Sequence, residues 1–241
     1  MKKNTFINIS RTIIFFLIIS LGIQSCASKQ ASNEYDEIYD DDIYSISDQP
    51  EINNAPEITD DFLGDFDPFR VKEIIVLSKS SKQMKPKELA NNYLYPRSNN
   101  LELTFRNGIN KVNITLTKNE RTKISDTMNL FLEQYEAKTL PRHKVNSKTA
   151  YFISTCSMTY GVASQDYIVD KCKYWTNCEI FNKRAYFLIN FAPTATRTEK
   201  DYSPRIKLYL SPSQIPEFLE LLDQEYLNSQ VKILREKAYT Y

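Results

Sequence analysis

The chain has 241 residues with near-balanced charge, 31 Lys and Arg against 30 Asp and Glu, and carries one His, one Trp and four Gly. A single histidine, His143, leaves no His-rich metal centre, and two glycines past residue 70, Gly108 and Gly161, leave no phosphate-cradling loop or dinucleotide fingerprint. No cofactor is expected.

The chain opens with Lys2, Lys3 and Arg11, then an apolar run over 13–23, then Gln24, Ser25 and Cys26. Charged leader, short apolar run and small residue make the three-part layout of a secretory signal, and the run falls short of the ~20 residues that span a bilayer. The segment "IQSC" resembles the lipobox of bacterial lipoproteins. That resemblance implies cleavage before Cys26, acylation of its thiol and anchorage of the new N-terminus in a membrane, so 1–25 is read as a lipoprotein signal peptide and the protein is expected in the cell envelope. Ala27, where an acidic residue would act as a retention signal in some bacteria, is compatible with an outer membrane. Each buried methylene contributes about 0.8 kcal/mol, so two or three acyl chains suffice as an anchor.

Residues 27–70 hold 13 acidic side chains against Lys29 and Arg70, a net of −11, with no apolar periodicity. Segment 26–70 is therefore expected to be a disordered acidic tether. Residues 71–241 carry 26 basic and 17 acidic side chains, a net of +9, and are expected to form one basic domain.

Within that domain Val71–Leu77 predicts a strand and Pro86–Asn91 a short helix. Leu101, Leu103 and Phe105, then Val112, Ile114 and Leu116, alternate on either side of Asn107-Gly108, a hairpin signal whose two-residue loop would set Leu103 against Val112. Thr117 and Glu120 form a capping box before Ile124, Met128, Phe131, Leu132 and Tyr135 at helical spacing. "KTAYFISTCSMTYG" and "KCKYWTNCEIF" predict two strands around a turn near Gly161–Asp166. Phe187, Ile189 and Phe191, then Ile206, Leu208 and Leu210, predict two more. A helix follows, starting near Pro216, with a second capping box at Ser211 and Gln214 and a stripe of Phe218, Leu219, Leu222 and Tyr226. The sum is an α+β domain, an antiparallel sheet with amphipathic helices packed on one face, with two strand-strand-helix units that could be a duplication.

Three cysteines remain in the domain. Folding about position 164 sets Cys156 opposite Cys172 with Cys178 on the same face, so the alternatives are free buried thiols or one disulfide joining Cys156 to Cys172 or Cys178. A zinc site would need a fourth ligand, and the spacings lack the short Cys pair usual for zinc. Tyr174, Trp175, Lys171 and Lys173 interleave aromatic and basic side chains as a candidate surface contact. His143, in the basic connection "LPRHKVNSK", is expected at the surface. Asp166, Asp170 and Glu179 are the carboxylates near a turn that a glycan hydrolase would need, with no spacing that singles out a pair.

These features favour a non-enzymatic envelope lipoprotein that binds or organises another envelope protein or an acidic polymer. Two alternatives remain. One is an acidic-polymer or nucleic-acid binder, since the strand and helix order is similar to PUR-type repeats, although nucleic acid is an odd ligand for an envelope protein. The other is a cell-wall glycan hydrolase.

Overall fold

The computed structural model describes residues 61–162 and 165–238. The signal segment, Cys26 and the tether up to residue 60 lie outside the described residues. Ten strands form one antiparallel sheet in the order β1-β4-β5-β6-β7-β8-β9-β10-β2-β3. They are β1 (Phe69–Arg70), β2 (Ile74–Ser80), β3 (Gln83–Leu89), β4 (Tyr93–Tyr95), β5 (Asn100–Asn107), β6 (Asn110–Leu116), β7 (Phe152–Val162), β8 (Gln165–Phe181), β9 (Arg184–Phe191) and β10 (Ile206–Leu210). The α-helices among the described residues are α1 (Lys118–Glu136), α2 (Ile215–Leu222) and α3 (Gln224–Ala238), and none of them is long and apolar enough to cross a membrane.

Strand alternation builds the core. Leu101, Leu103 and Phe105 of β5, Val112, Ile114 and Leu116 of β6, and Phe187, Ile189 and Phe191 of β9 are all buried and share one cluster with Ile124, Met128 and Phe131 of α1. The Phe131 ring meets Phe187 edge-on at 5.8 Å. On the other parity, Tyr186, Leu188 and Tyr209 are buried in a smaller cluster with Leu77, Met84, Val145 and Phe181 against it.

Five expectations need correction. The β5–β6 register pairs Leu103 with Ile114 and Phe105 with Val112, two residues from the expected pairing, and the loop is Gly108-Ile109. Gly108 has φ +62°, the left-handed value that the first loop residue of a type II′ turn requires, so backbone geometry decides between two registers that hydrophobic parity leaves equal. Segment 86–91 is not helical. Pro86 lies in β3, opposite Leu77, at the outer edge of the sheet, where its missing N–H costs no ladder bond. The helix after β10 is broken at Asp223, whose backbone is extended and whose carboxylate accepts the Tyr226 N–H at 2.8 Å, capping α3. Of the Ser211–Gln214 capping box one half forms: the Gln214 amide oxygen accepts from the Ser211 N–H and hydroxyl at 3.0 and 2.8 Å, but the Gln214 N–H bonds the Ser211 carbonyl and not its hydroxyl, and α2 begins after Gln214 with no side-chain cap.

The fifth correction concerns where the domain begins. Residues 61–70 lie on it: Leu63, Phe66 and Phe69 pack against the core, Asp61 pairs with Lys118 at 2.9 Å, and Asp65 pairs with Arg97 at 2.6 Å. The last ten residues of the expected tether are folded because their apolar side chains have somewhere to go.

One buried charge has no local signature in the sequence. Arg121, 1% exposed in the first turns of α1, donates to the Leu222 carbonyl at 2.9 Å, to the Asn99 carbonyl and side chain at 3.1 and 2.8 Å, and to Gln224 at 3.0 Å. Burial pulls its pKa down to about 10, against the partial support of Asp61 and Asp223. The guanidinium fastens α1 to the β4–β5 turn and to the break between α2 and α3.

Candidate functional site

The residues singled out from sequence are scattered. Cys156 and Cys172 are cross-strand partners as expected, and Cys178 faces the same core. All three are buried free thiols, so the structure contains no Cys156–Cys172 or Cys178 bridge. Cys156 stays protonated well above the ordinary thiol range through its bond to Cys172 and its burial, and burial pushes Cys178 up to about 11. Among the described residues no three His, Cys, Asp or Glu side chains converge as a metal site.

Tyr174 leaves the candidate surface set: it is fully buried, with its ring 5.5 Å from Phe191. Adjacent strand residues face opposite ways, so Trp175, Lys171 and Lys173 share the other side of β8, with Lys171 exposed and the other two half-buried. His143 is exposed on the α1–β7 connection. The three carboxylates are not brought together. Asp170 is held by Arg197 Nε and Nη2 at 2.9 and 2.6 Å, which lowers its pKa, while Glu179 takes Lys79 and the Tyr209 hydroxyl. Along one strand, Asp170 and Glu179 stand about 30 Å apart and Asp166 and Asp170 about 13 Å, beyond the ~9.5 Å upper limit for a glycosidase pair.

What the fold does bring together is a groove of about 990 Å³ where α1 ends, lined from four distant stretches of chain. Leu77, Met84, Leu140, Ile180 and Tyr186 give it apolar walls. Lys138, Arg142, Lys183 and Arg184 stand around it, all exposed, and no carboxylate of the described residues lines it. None of these four cations makes an ion pair with a described residue, in contrast to Lys72, Lys79, Arg97, Lys118 and Arg197 elsewhere on the surface.

Two of the four cations occupy backbone positions that favour glycine. Lys138 has φ +57° just past the end of α1, where its N–H bonds the Tyr135 carbonyl at 3.1 Å and that of Thr139 bonds Gln134 at 2.9 Å, a Schellman ending. Asn182 and Lys183, φ +49° and +64°, form the two-residue turn between β8 and β9, a type I′ geometry whose second position is ordinarily glycine. A left-handed L-residue costs roughly 1–2 kcal/mol. Positive charge is therefore presented at the groove against a backbone cost. In the sequence, only the Asn-Lys turn and the run Lys138–Lys144 hinted at this.

A family model described as "Uncharacterised Treponema protein" matches residues 63–229. The chain belongs to that family. The family region starts inside the stretch expected to be tether, in agreement with the packing of Leu63, and takes in every residue around the groove. An "Uncharacterized protein" of Treponema pallidum (strain Nichols) is 24% identical over 143 residues, 58% of this chain. The chain spans about half the length of that relative. No solved structure matches.

Proposed function

We propose that this member of the Treponema family is a lipid-anchored envelope protein, acylated at Cys26, whose domain binds an anionic envelope protein or acidic polymer without chemical turnover. The observation that carries the binding role is the groove: among the described residues, four cations and no carboxylate around apolar walls, two of the cations on left-handed backbone. Single-sign charge over a concave surface concentrates counter-ions of the opposite sign, and an apolar floor adds affinity for a ligand that is not purely ionic. We also place all three helices on one face of the sheet, which is supported by the core that Phe131, Phe218 and Leu227 share with the inward rows of β5, β6 and β9.

The full chain in an uncharged detergent, with heparin as polyanion probe, tests the groove. Arg142→Glu with Arg184→Glu lowers affinity at least tenfold at low salt, and the loss shrinks as salt screens the charges. Equal binding by parent and variant would remove the groove from the account. Anchorage is tested separately: fatty-acid label is incorporated by the parent in cells and lost in Cys26→Ala.

A further inference from the structure

The aromatic and basic stretch of β8 takes no part in the groove, and the sheet brings to it residues that its own strand does not hold. Trp175 lies directly opposite Asn190 of β9, and Asn190 lies opposite Lys207 of β10. Cross-strand partners share a face with Cβ atoms about 5 Å apart, so the three side chains stand in one row across three strands, on the side that Lys173 also faces. Arg205 precedes Lys207 by two residues. Burial lowers the Lys207 pKa, and Arg205 and Lys79 lower it further against an opposing pull from Glu179, so these cations are close enough to repel one another. Asp170 and Glu179, the carboxylates on either side along β8, are already taken, by Arg197 and by Lys79 with the Tyr209 hydroxyl. Lys173, Arg205 and Lys207 are left without an ion pair to any described residue.

The same row holds two polar groups that the fold leaves unsatisfied. Asn190 is 3% exposed and its Oδ1 accepts no hydrogen bond, and beside it the buried Nε1–H of Trp175 donates none. A buried polar group without a partner costs about 1–3 kcal/mol. In the next row the sheet avoids that cost, with Leu188 fully buried and the Tyr209 hydroxyl donating to Glu179 at 2.9 Å. A donor beside an acceptor fits a hydroxyl group, which accepts from the indole and donates to the amide oxygen. Water meets that demand alone. It leaves the neighbouring cations unneutralised.

We infer that this face of β8, β9 and β10 is a second binding site, for an acidic sugar that brings hydroxyls to Trp175 and Asn190 and a carboxylate to Lys173, Arg205 and Lys207. None of these five residues lines the groove, so the inference stands without the groove reading and goes beyond it by naming a ligand chemistry. Because the two unsatisfied atoms are buried, the sugar reaches them by displacing the half-buried indole, and the exposed part of that ring adds apolar contact.

Trp175 is the sole tryptophan of the chain, so its emission reads this face and not the groove. The full chain in uncharged detergent is titrated with three probes: trigalacturonate carries carboxylates and hydroxyls, maltotriose hydroxyls alone, and tripolyphosphate charge alone. Trigalacturonate is expected to shift the emission saturably, with an affinity about tenfold or more above that of either other probe. Lys173→Gln with Lys207→Gln, which leaves the indole in place, lowers that affinity about tenfold, while Arg142→Glu with Arg184→Glu changes it less than about twofold. A thermal melt like the parent's shows the Gln variant to be folded. Failing that, Arg205→Gln, at an exposed position, is expected to cost about threefold. An emission that trigalacturonate leaves unchanged overturns the inference, and water alone then fills the row. Equal binding of tripolyphosphate overturns it in favour of a general anion patch, and equal binding of maltotriose or no effect of the Gln substitutions removes the cations from it. Each of these outcomes leaves the groove reading standing. That reading fails instead if heparin affinity is indifferent to Arg142→Glu with Arg184→Glu.

Discussion

The two ends of α1 treat positive charge in opposite ways. At the N-terminal end the charges and caps are partnered: Thr117 and Glu120 satisfy each other's backbone N–H groups, Lys118 meets Asp61, and the two terminal nitrogens of Arg121 reach two carbonyls and two side-chain amides. At the C-terminal end Lys138 stands in a left-handed conformation and lines, with Arg142, Lys183 and Arg184, a groove that no carboxylate of the described residues lines. The first arrangement is what folding stability selects. The second lowers stability through strain and like-charge repulsion, a cost that the proposed binding role would account for.

If that division is right, charge removal has opposite effects at the two ends. Arg121→Ala gives the largest change, a destabilisation of about 3–5 kcal/mol, because it empties a buried volume and strands the Leu222 and Asn99 carbonyls. Urea unfolding measures it, and a loss below 1 kcal/mol would show that the guanidinium is not the clamp described. Thr117→Ala comes next, at about 1 kcal/mol, through loss of the cap. Neither change alters heparin affinity, because neither touches the groove.

The contrast also explains which features could be read from the chain. The capping box at Thr117, the strand parities and the Cys156–Cys172 juxtaposition are local patterns, fixed by residues a few positions apart or by one fold-back. Nothing local marks Arg121 as buried, because its burial depends on Asn99, Leu222 and Gln224 arriving from elsewhere. The β5–β6 register depended on Gly108 taking the first loop position, which parity cannot reveal, and Pro86 read as a helix start until β2 needed an edge partner. The groove was least legible of all: Met84, Lys138, Lys183 and Ser213 come from four segments, and charge counted along the chain says only that the domain is basic.

The smallest expected effects give the sharpest comparison, since they use two turns of the same sheet. At the β5–β6 turn the left-handed residue is Gly108, and a Cβ added there meets no atom within 4 Å. Gly108→Ala therefore carries the conformational cost alone, a loss of about 1 kcal/mol. At the β8–β9 turn, and at the end of α1, lysine already carries that cost. Lys183→Gly and Lys138→Gly each stabilise the protein by about 0.5–1 kcal/mol, the relief of strain being partly offset by the greater freedom of glycine in the unfolded chain. Lys183→Gln keeps a side chain on the left-handed backbone while removing the charge, so it separates strain from repulsion: most of the gain seen with glycine should be missing. All three lysine variants weaken heparin binding, which makes Lys183→Gly more stable and less competent at once. A glycine variant that is both stable and fully able to bind would mean that the lysines are incidental to the groove.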